Sequence, residues 1–141
     1  NGRLTIIHRD PLFIVDGAHN PAAADMLEDS VRKYFKGRNM YFIMGVFRDK
    51  DYSYIIRKLC PYAEQIVTIE TPDNPRALPA QELAEAVREC NPHVQAAENI
   101  QDAVNKVFAM ADREDVILSF GSLSFIGEIT TIVKNREEKN L

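Results

Sequence analysis

Short apolar runs alternate along this chain with stretches of helical periodicity, and that alternation limits the fold more than any other feature. Leu4 to Ile7, Leu12 to Val15, Met40 to Met44, Ile66 to Ile69, His93 to Ala96 and Asp115 to Phe120 read as strands. Between them lie amphipathic segments. One follows Pro21, with Ala23, Leu27, Val31, Tyr34 and Phe35 on a shared face. The next starts at Asp51, with Ile55, Ile56 and Leu59 inward, and Pro61 stops it. A third starts at Pro79, with Leu83, Ala84 and Val87 inward, and a fourth at Asn99, with Val104, Val107, Phe108 and Ala111. The last follows Gly121-Ser122 and uses Ile126, Ile129 and Val133, with a charged tail from Lys134 expected to fray. Parallel strands need a long crossover, which an intervening helix supplies. The rhythm therefore predicts an α/β, Rossmann-like fold with a mostly parallel sheet of about six strands and helices on both faces. The first two runs, joined across Asp10-Pro11, predict a hairpin that adds one antiparallel edge strand.

The length of 141 residues suits one domain with its own core. Net charge is −4 with a pI near 5.4, and no basic stripe stands out, so nucleic acid is not an expected partner. Uninterrupted apolar runs fall far short of the roughly 20 residues that span a bilayer. No membrane association is expected, and with no signal-peptide pattern the expected location is cytoplasmic and the expected state a monomer. Cys60 and Cys90 have no metal-ligand spacing and read as free thiols in a reducing compartment. The sequence enters a strand directly from Asn1-Gly2-Arg3, as a cut in an inter-domain linker would, so residues 1–141 read as one domain of a longer protein.

In such a fold the strand-to-helix loops gather on the carboxyl edge of the sheet, where open α/β sheets bind ligands. Phe13-Ile14-Val15-Asp16-Gly17-Ala18-His19-Asn20-Pro21 reads as buried strand, tight turn and helix start, with Asn20 as N-cap and Pro21 in the first turn. Asp16 and His19 then lie beside helical N–H groups that favour anions. Asp16 suits ribose hydroxyls, because an ionised carboxylate only accepts hydrogen bonds; equally, it suits a turn that binds its own backbone. His19 suits a phosphate or a substrate held by another domain, or a solvated turn. Lys50, within Arg48-Asp49-Lys50-Asp51, suits a carboxylate or phosphate, or a solvated charge cluster. Arg76 sits in the stiff loop Thr71 to Pro79, and Ser122 is either an anion-holding hydroxyl or an N-cap. No phosphate-binding P-loop and no G-x-G-x-x-G fingerprint occurs, so a triphosphate cradle would lie elsewhere.

Taken together, Gly2-Arg3-Leu4, Val15 through Pro21, Gly45 through Asp51, Asn74-Pro75-Arg76-Ala77-Leu78-Pro79, and Gly121-Ser122-Leu123 with Gly127-Glu128 resemble the C-terminal domain of folylpolyglutamate synthase, often also a dihydrofolate synthase, in the Mur ligase superfamily. The likeness runs over nearly the whole chain and is nearer the folate branch than the cell-wall ligases. It implies a ligase in which ATP phosphorylates a folate or dihydropteroate carboxylate and L-glutamate's amine attacks the acyl phosphate. By this resemblance Arg3, Asp16 and His19 meet the nucleotide, and Lys50 and Ser122 hold the glutamate carboxylates; His19 and Lys50 are the catalytic candidates, and Arg76, aimed from its stiff loop, is a further substrate-binding candidate or an ordinary surface arginine. The P-loop and the Mg²⁺ ligands are expected in an N-terminal domain absent from this chain. No metal site is expected here, and the domain alone is expected to be inactive. Ser124 stands where the family usually has an aromatic residue. The alternatives are a standalone Rossmann-like small-ligand binding or regulatory module, and the same domain of another Mur-type amino-acid ligase.

Overall fold

A computed structural model describes residues 3–139. Asn1 and Gly2, the latter part of the first motif above, lie outside the described residues. The strands are β1 (Thr5–His8), β2 (Leu12–Val15), β3 (Met40–Met44), β4 (Ala63–Thr68), β5 (Val94–Ala96) and β6 (Val116–Phe120). The helices are α1 (Pro21–Tyr34), α2 (Tyr52–Leu59), α3 (Ala80–Arg88), α4 (Ile100–Met110) and α5 (Ile126–Lys139), with 3₁₀ turns at Cys60–Tyr62 and Leu123–Phe125. The sheet order is β1-β2-β6-β3-β4-β5. β1 pairs antiparallel with β2, and all other neighbours are parallel.

β6 lies between β2 and β3 and is buried along its whole length. Its side chains alternate between two cores, as strand geometry requires. Leu118 and Phe120 join Ile14, Phe42 and Met44 beneath α1, α2 and α3. Ile117 joins Phe13, Val15 and Ile43 beneath α4 and α5. Phe42 and Phe120 meet edge-on at 5.2 Å and 87°, a geometry worth about 1 kcal/mol beyond the area it buries.

The helix starts follow the polar caps in the sequence. Asn20 accepts the Ala23 N–H at 2.9 Å, Asp51 accepts that of Tyr54 at 3.2 Å, and Asn99 accepts that of Asp102 at 2.7 Å. Each cap stabilises its helix by about 1 kcal/mol.

Several local expectations shift. Ala24 joins Leu27 and Val31 in the core with Ala23 and Phe35 packed half-buried against it, whereas Tyr34 is 58% exposed and falls outside the inner stripe of α1. β4 starts at Ala63, three residues before the first aliphatic of its run, because Glu64 and Gln65 carry its outer end. α5 continues to Lys139 instead of fraying at Lys134, and Arg136 stacks over Phe108 at 4.5 Å. Both cysteines are free thiols, and burial pushes the Cys60 thiol well up.

Candidate functional site

Val15 leads straight into Asp16, whose N–H donates to the Ser119 carbonyl at 2.9 Å and so extends the β2–β6 pairing by one bond. The Asp16 side chain is then 4% exposed and committed at both oxygens. One accepts the Ala18 N–H at 2.8 Å, which is the turn bond the sequence allows. The other accepts the N–H of Leu4 at 3.0 Å, twelve residues upstream. Leu4 has φ of +40°, a left-handed conformation unusual for a side chain of its type. Asp16 thus pins the turn to the segment that carries Arg3, and an Arg3 Nη1 N–H reaches the Met26 sulfur at 3.7 Å. His19 Nδ1 lies 2.8 Å from the Gly17 carbonyl, which takes the Nδ1 proton and leaves Nε2 for another partner.

Two cavities adjoin across His19 and Leu123. The first, about 180 Å³, is lined by Arg3, Asp16, His19, Ala23, Met26 and Leu123 together with the Gly17-Ala18 backbone. The second, about 350 Å³, is lined by His19, Phe47, Lys50, Arg76, Ser122, Leu123 and Ser124. All six residues singled out in the sequence therefore come to one edge of the sheet. They come from the loops after β2, β3, β4 and β6 and from the segment before β1.

The loops after β3 and β4 are strapped together. Leu78 N–H donates to the Val46 carbonyl at 3.0 Å and Arg48 N–H to the Arg76 carbonyl at 2.8 Å, with a bridge between Phe47 and Ala77. Arg48 Nη2 adds a bond to the Ala77 carbonyl at 3.2 Å. Arg76 stacks over the Phe47 ring at 4.6 Å and donates to Asp49 through Nη2 at 2.8 Å and Nε at 3.3 Å. That guanidinium holds the Asp49 carboxyl below its usual range. Lys50 makes no ion pair among the described residues, although it lines the same cavity.

Ser122 is 3% exposed and caps the turn that follows. Its hydroxyl oxygen accepts the Ser124 N–H at 3.1 Å and lies 2.7 Å from the Ser124 hydroxyl. Ser124 thus supplies a hydroxyl partner to Ser122. Gly121 has φ of +115°, and a Cβ there would collide with the Gly45 carbonyl oxygen, so only glycine lets β6 turn into this rim. Among the described residues no cluster of three His, Cys, Asp or Glu side chains is placed to hold a metal ion.

Sequence reasoning missed Met26, Phe47 and Leu123 as walls of the cavities. Met26 and Leu123 are 49% and 54% exposed. For Phe47 and Leu123 the signal was a large apolar residue within a polar loop motif; Met26 lies on α1 and had none.

The fold and these motifs have counterparts among known proteins. Dihydrofolate synthase/folylpolyglutamate synthase of Buchnera aphidicola is 27% identical over 135 residues, 96% of this chain and 31% of the relative. The enzyme of the same name from Mycobacterium tuberculosis is 34% identical over 113 residues, 79% of this chain and 23% of the relative. The chain thus spans about a third or less of the curated relatives it matches. E. coli FolC, solved in complex with DHPP and ADP, superposes with a TM-score of 0.83 at 25% identity, covering 96% of this chain and 32% of that one. Its likeness bears out the six-stranded, mostly parallel sheet with one antiparallel pair. The family described as Mur ligase, glutamate ligase domain matches residues 2–123, a span that holds every loop of both cavities up to Leu123, and the chain belongs to that family.

Proposed function

We propose that the full-length protein is an ATP-dependent ligase that joins L-glutamate to a folate or dihydropteroate, and that this chain is its C-terminal domain. The observation that carries the reading is the junction of the two cavities at His19. On one side lies Arg3, suited to a nucleotide, above the turn that Asp16 pins; on the other lie Lys50 and Arg76, suited to the carboxylates of an amino acid, beside the turn that Ser122 caps. The pterin-linked carboxylate attacks the γ-phosphorus of ATP and expels ADP. The glutamate amine then attacks the acyl carbon, expels phosphate and loses a proton. Cations fixed at the carboxylates orient the amine toward the acyl carbon, and positioning of this kind accounts for a large part of many rate enhancements.

An acyl phosphate is lost to water unless it is shielded, so a second domain should close over this rim. The exposed Met26 and Leu123 suit a surface that a neighbouring domain covers. The family resemblance assigns the triphosphate cradle and the Mg²⁺ ligands to that domain. A monomeric, cytoplasmic enzyme fits the same reading.

The test is ATP-dependent glutamate addition by the full-length protein, with dihydropteroate and with tetrahydrofolate as acceptors. Arg3→Ala and Asp16→Ala should each lower turnover by about a hundredfold. Wild-type turnover in both variants would overturn the reading, as would tight ATP binding by this domain alone.

A further inference from the structure

The rim carries one charged side chain that lines neither cavity yet grips a residue that does. Asp49 holds the Arg76 guanidinium through Nε and Nη2, at 3.3 and 2.8 Å, while Phe47 supports its face at 4.6 Å. A guanidinium has five N–H donors. Two are spent on Asp49, and three remain for a ligand in the cavity that Arg76 lines.

We infer that Asp49 is a positioning residue for the amino-acid substrate. It sets how Arg76 presents its remaining donors to a carboxylate, and so sets glutamate affinity without touching glutamate. The inference rests on the ligase reading above and deepens it. Arginine side chains lose considerable rotamer freedom when they are fixed on a ligand. A second carboxylate that fixes the guanidinium beforehand removes most of that cost from the binding step. It cannot serve as the ligand's own subsite, because the same guanidinium edge is already occupied.

Asp49 is well placed for this role and poorly placed for a structural one. The backbones of both loops are already joined by the Leu78–Val46 and Arg48–Arg76 bonds and by Arg48 to the Ala77 carbonyl. The Asp49 and Arg76 side chains are each about half exposed, at 53% and 50%, so their ion pair adds little to folding. Asp49 and Phe47 touch the Arg76 side chain, and of the two only Asp49 is anionic. With its carboxyl held below the usual range, Asp49 stays ionised wherever such an enzyme works.

The experiment uses the full-length protein and compares Asp49→Asn, Asp49→Glu, Arg76→Ala and the double variant Asp49→Asn/Arg76→Ala. Asp49→Asn should raise KM for glutamate about three- to tenfold, with kcat and KM for ATP within about twofold of wild type. Asp49→Glu, which keeps the charge, should restore part of the loss. Arg76→Ala should raise KM for glutamate about a hundredfold, and Asp49→Asn should add nothing in that background. Urea midpoints of all variants should match wild type. An unchanged or lowered KM for glutamate in Asp49→Asn would overturn the inference, as would an equal rise with and without Arg76. If Arg76→Ala itself leaves that KM unchanged, the assignment of this cavity to glutamate fails instead.

Discussion

Two clusters of charge on this chain obey opposite rules. On the seam between α1 and α2, Lys58 Nζ lies 3.1 Å from Glu28 and 3.5 Å from Asp25. The Tyr54 hydroxyl donates to Asp25 at 2.6 Å and the Tyr62 hydroxyl to Glu28 at 2.8 Å. Two carboxylates share one ammonium and two phenols, so every strong group is answered from within. On the rim, Lys50 and Arg76 face one carboxylate, Asp49, and Lys50 has no ion pair among the described residues. A closed network fastens two helices together; an open one, with donors in excess at a cavity wall, is built to receive an anion. Substitutions on the seam should therefore be read in stability, and those on the rim in catalysis.

The largest effect should come where the rim is joined to the core. Gly121→Ala places a Cβ against the Gly45 carbonyl oxygen at a backbone angle of +115°. The collision and the strain together should destabilise the domain by roughly 3 kcal/mol and displace Ser122 and Leu123 from both cavities. Denaturant unfolding and glutamate addition should fall together in this variant. Unfolding at the wild-type midpoint would mean that the rim is looser than its geometry implies, and the contrast between the clusters would weaken.

Lys50→Gln separates the two rules more sharply. The full-length protein should lose about a hundredfold in kcat/KM for glutamate, because a fixed cation at a cavity wall is removed. Its unfolding midpoint should not move, since no ion pair is broken. A fall in stability with activity intact would place Lys50 with the seam residues and reverse the comparison.

The contrast also explains what the sequence could and could not disclose. The strand-turn-helix grammar of Val15 through Pro21 is local: an apolar run, a turn carboxylate, an N-cap and a proline lie within a few residues of one another. Chain order and the alternation of elements then suffice to bring Asp16, His19, Lys50, Arg76 and Ser122 to one edge. The partners of those side chains are not local. Asp16 binds an amide twelve residues upstream, and Asp49 pairs with Arg76 twenty-seven residues away. No periodicity encodes either contact, so Asp49 reads in sequence as one more solvated charge. The depth of burial along α1 is hidden for a related reason, with Ala24 fully buried and Ala23 only half so. Two neighbouring alanines are equally apolar, and only the packing against the sheet selects between them.

The smallest effect belongs to the seam and is the one that pH can resolve. Glu28 is held below its ordinary value of 4.5 by the Tyr62 hydroxyl first, against the opposing pull of burial, and then by Lys58. A depressed carboxylate stabilises the fold fully above that ordinary value and loses its contribution as pH falls through the lower folded value. Tyr62 is raised above 10.0 by burial and then by its bond to Glu28, so its contribution holds below pH 10.0 and is lost as pH rises through the higher folded value. Glu28→Gln should therefore cost no more than about 1 kcal/mol, because the site is near the surface. The difference from wild type should be flat between about pH 5 and pH 9 and shrink outside that range. Urea unfolding followed from below about pH 5 to above about pH 9 measures it, with glutamate addition unchanged at neutral pH. A loss of activity larger than the loss of stability would show that the seam is coupled to the rim through α1, which carries Asp25 and Glu28 on one side and Met26 on the other.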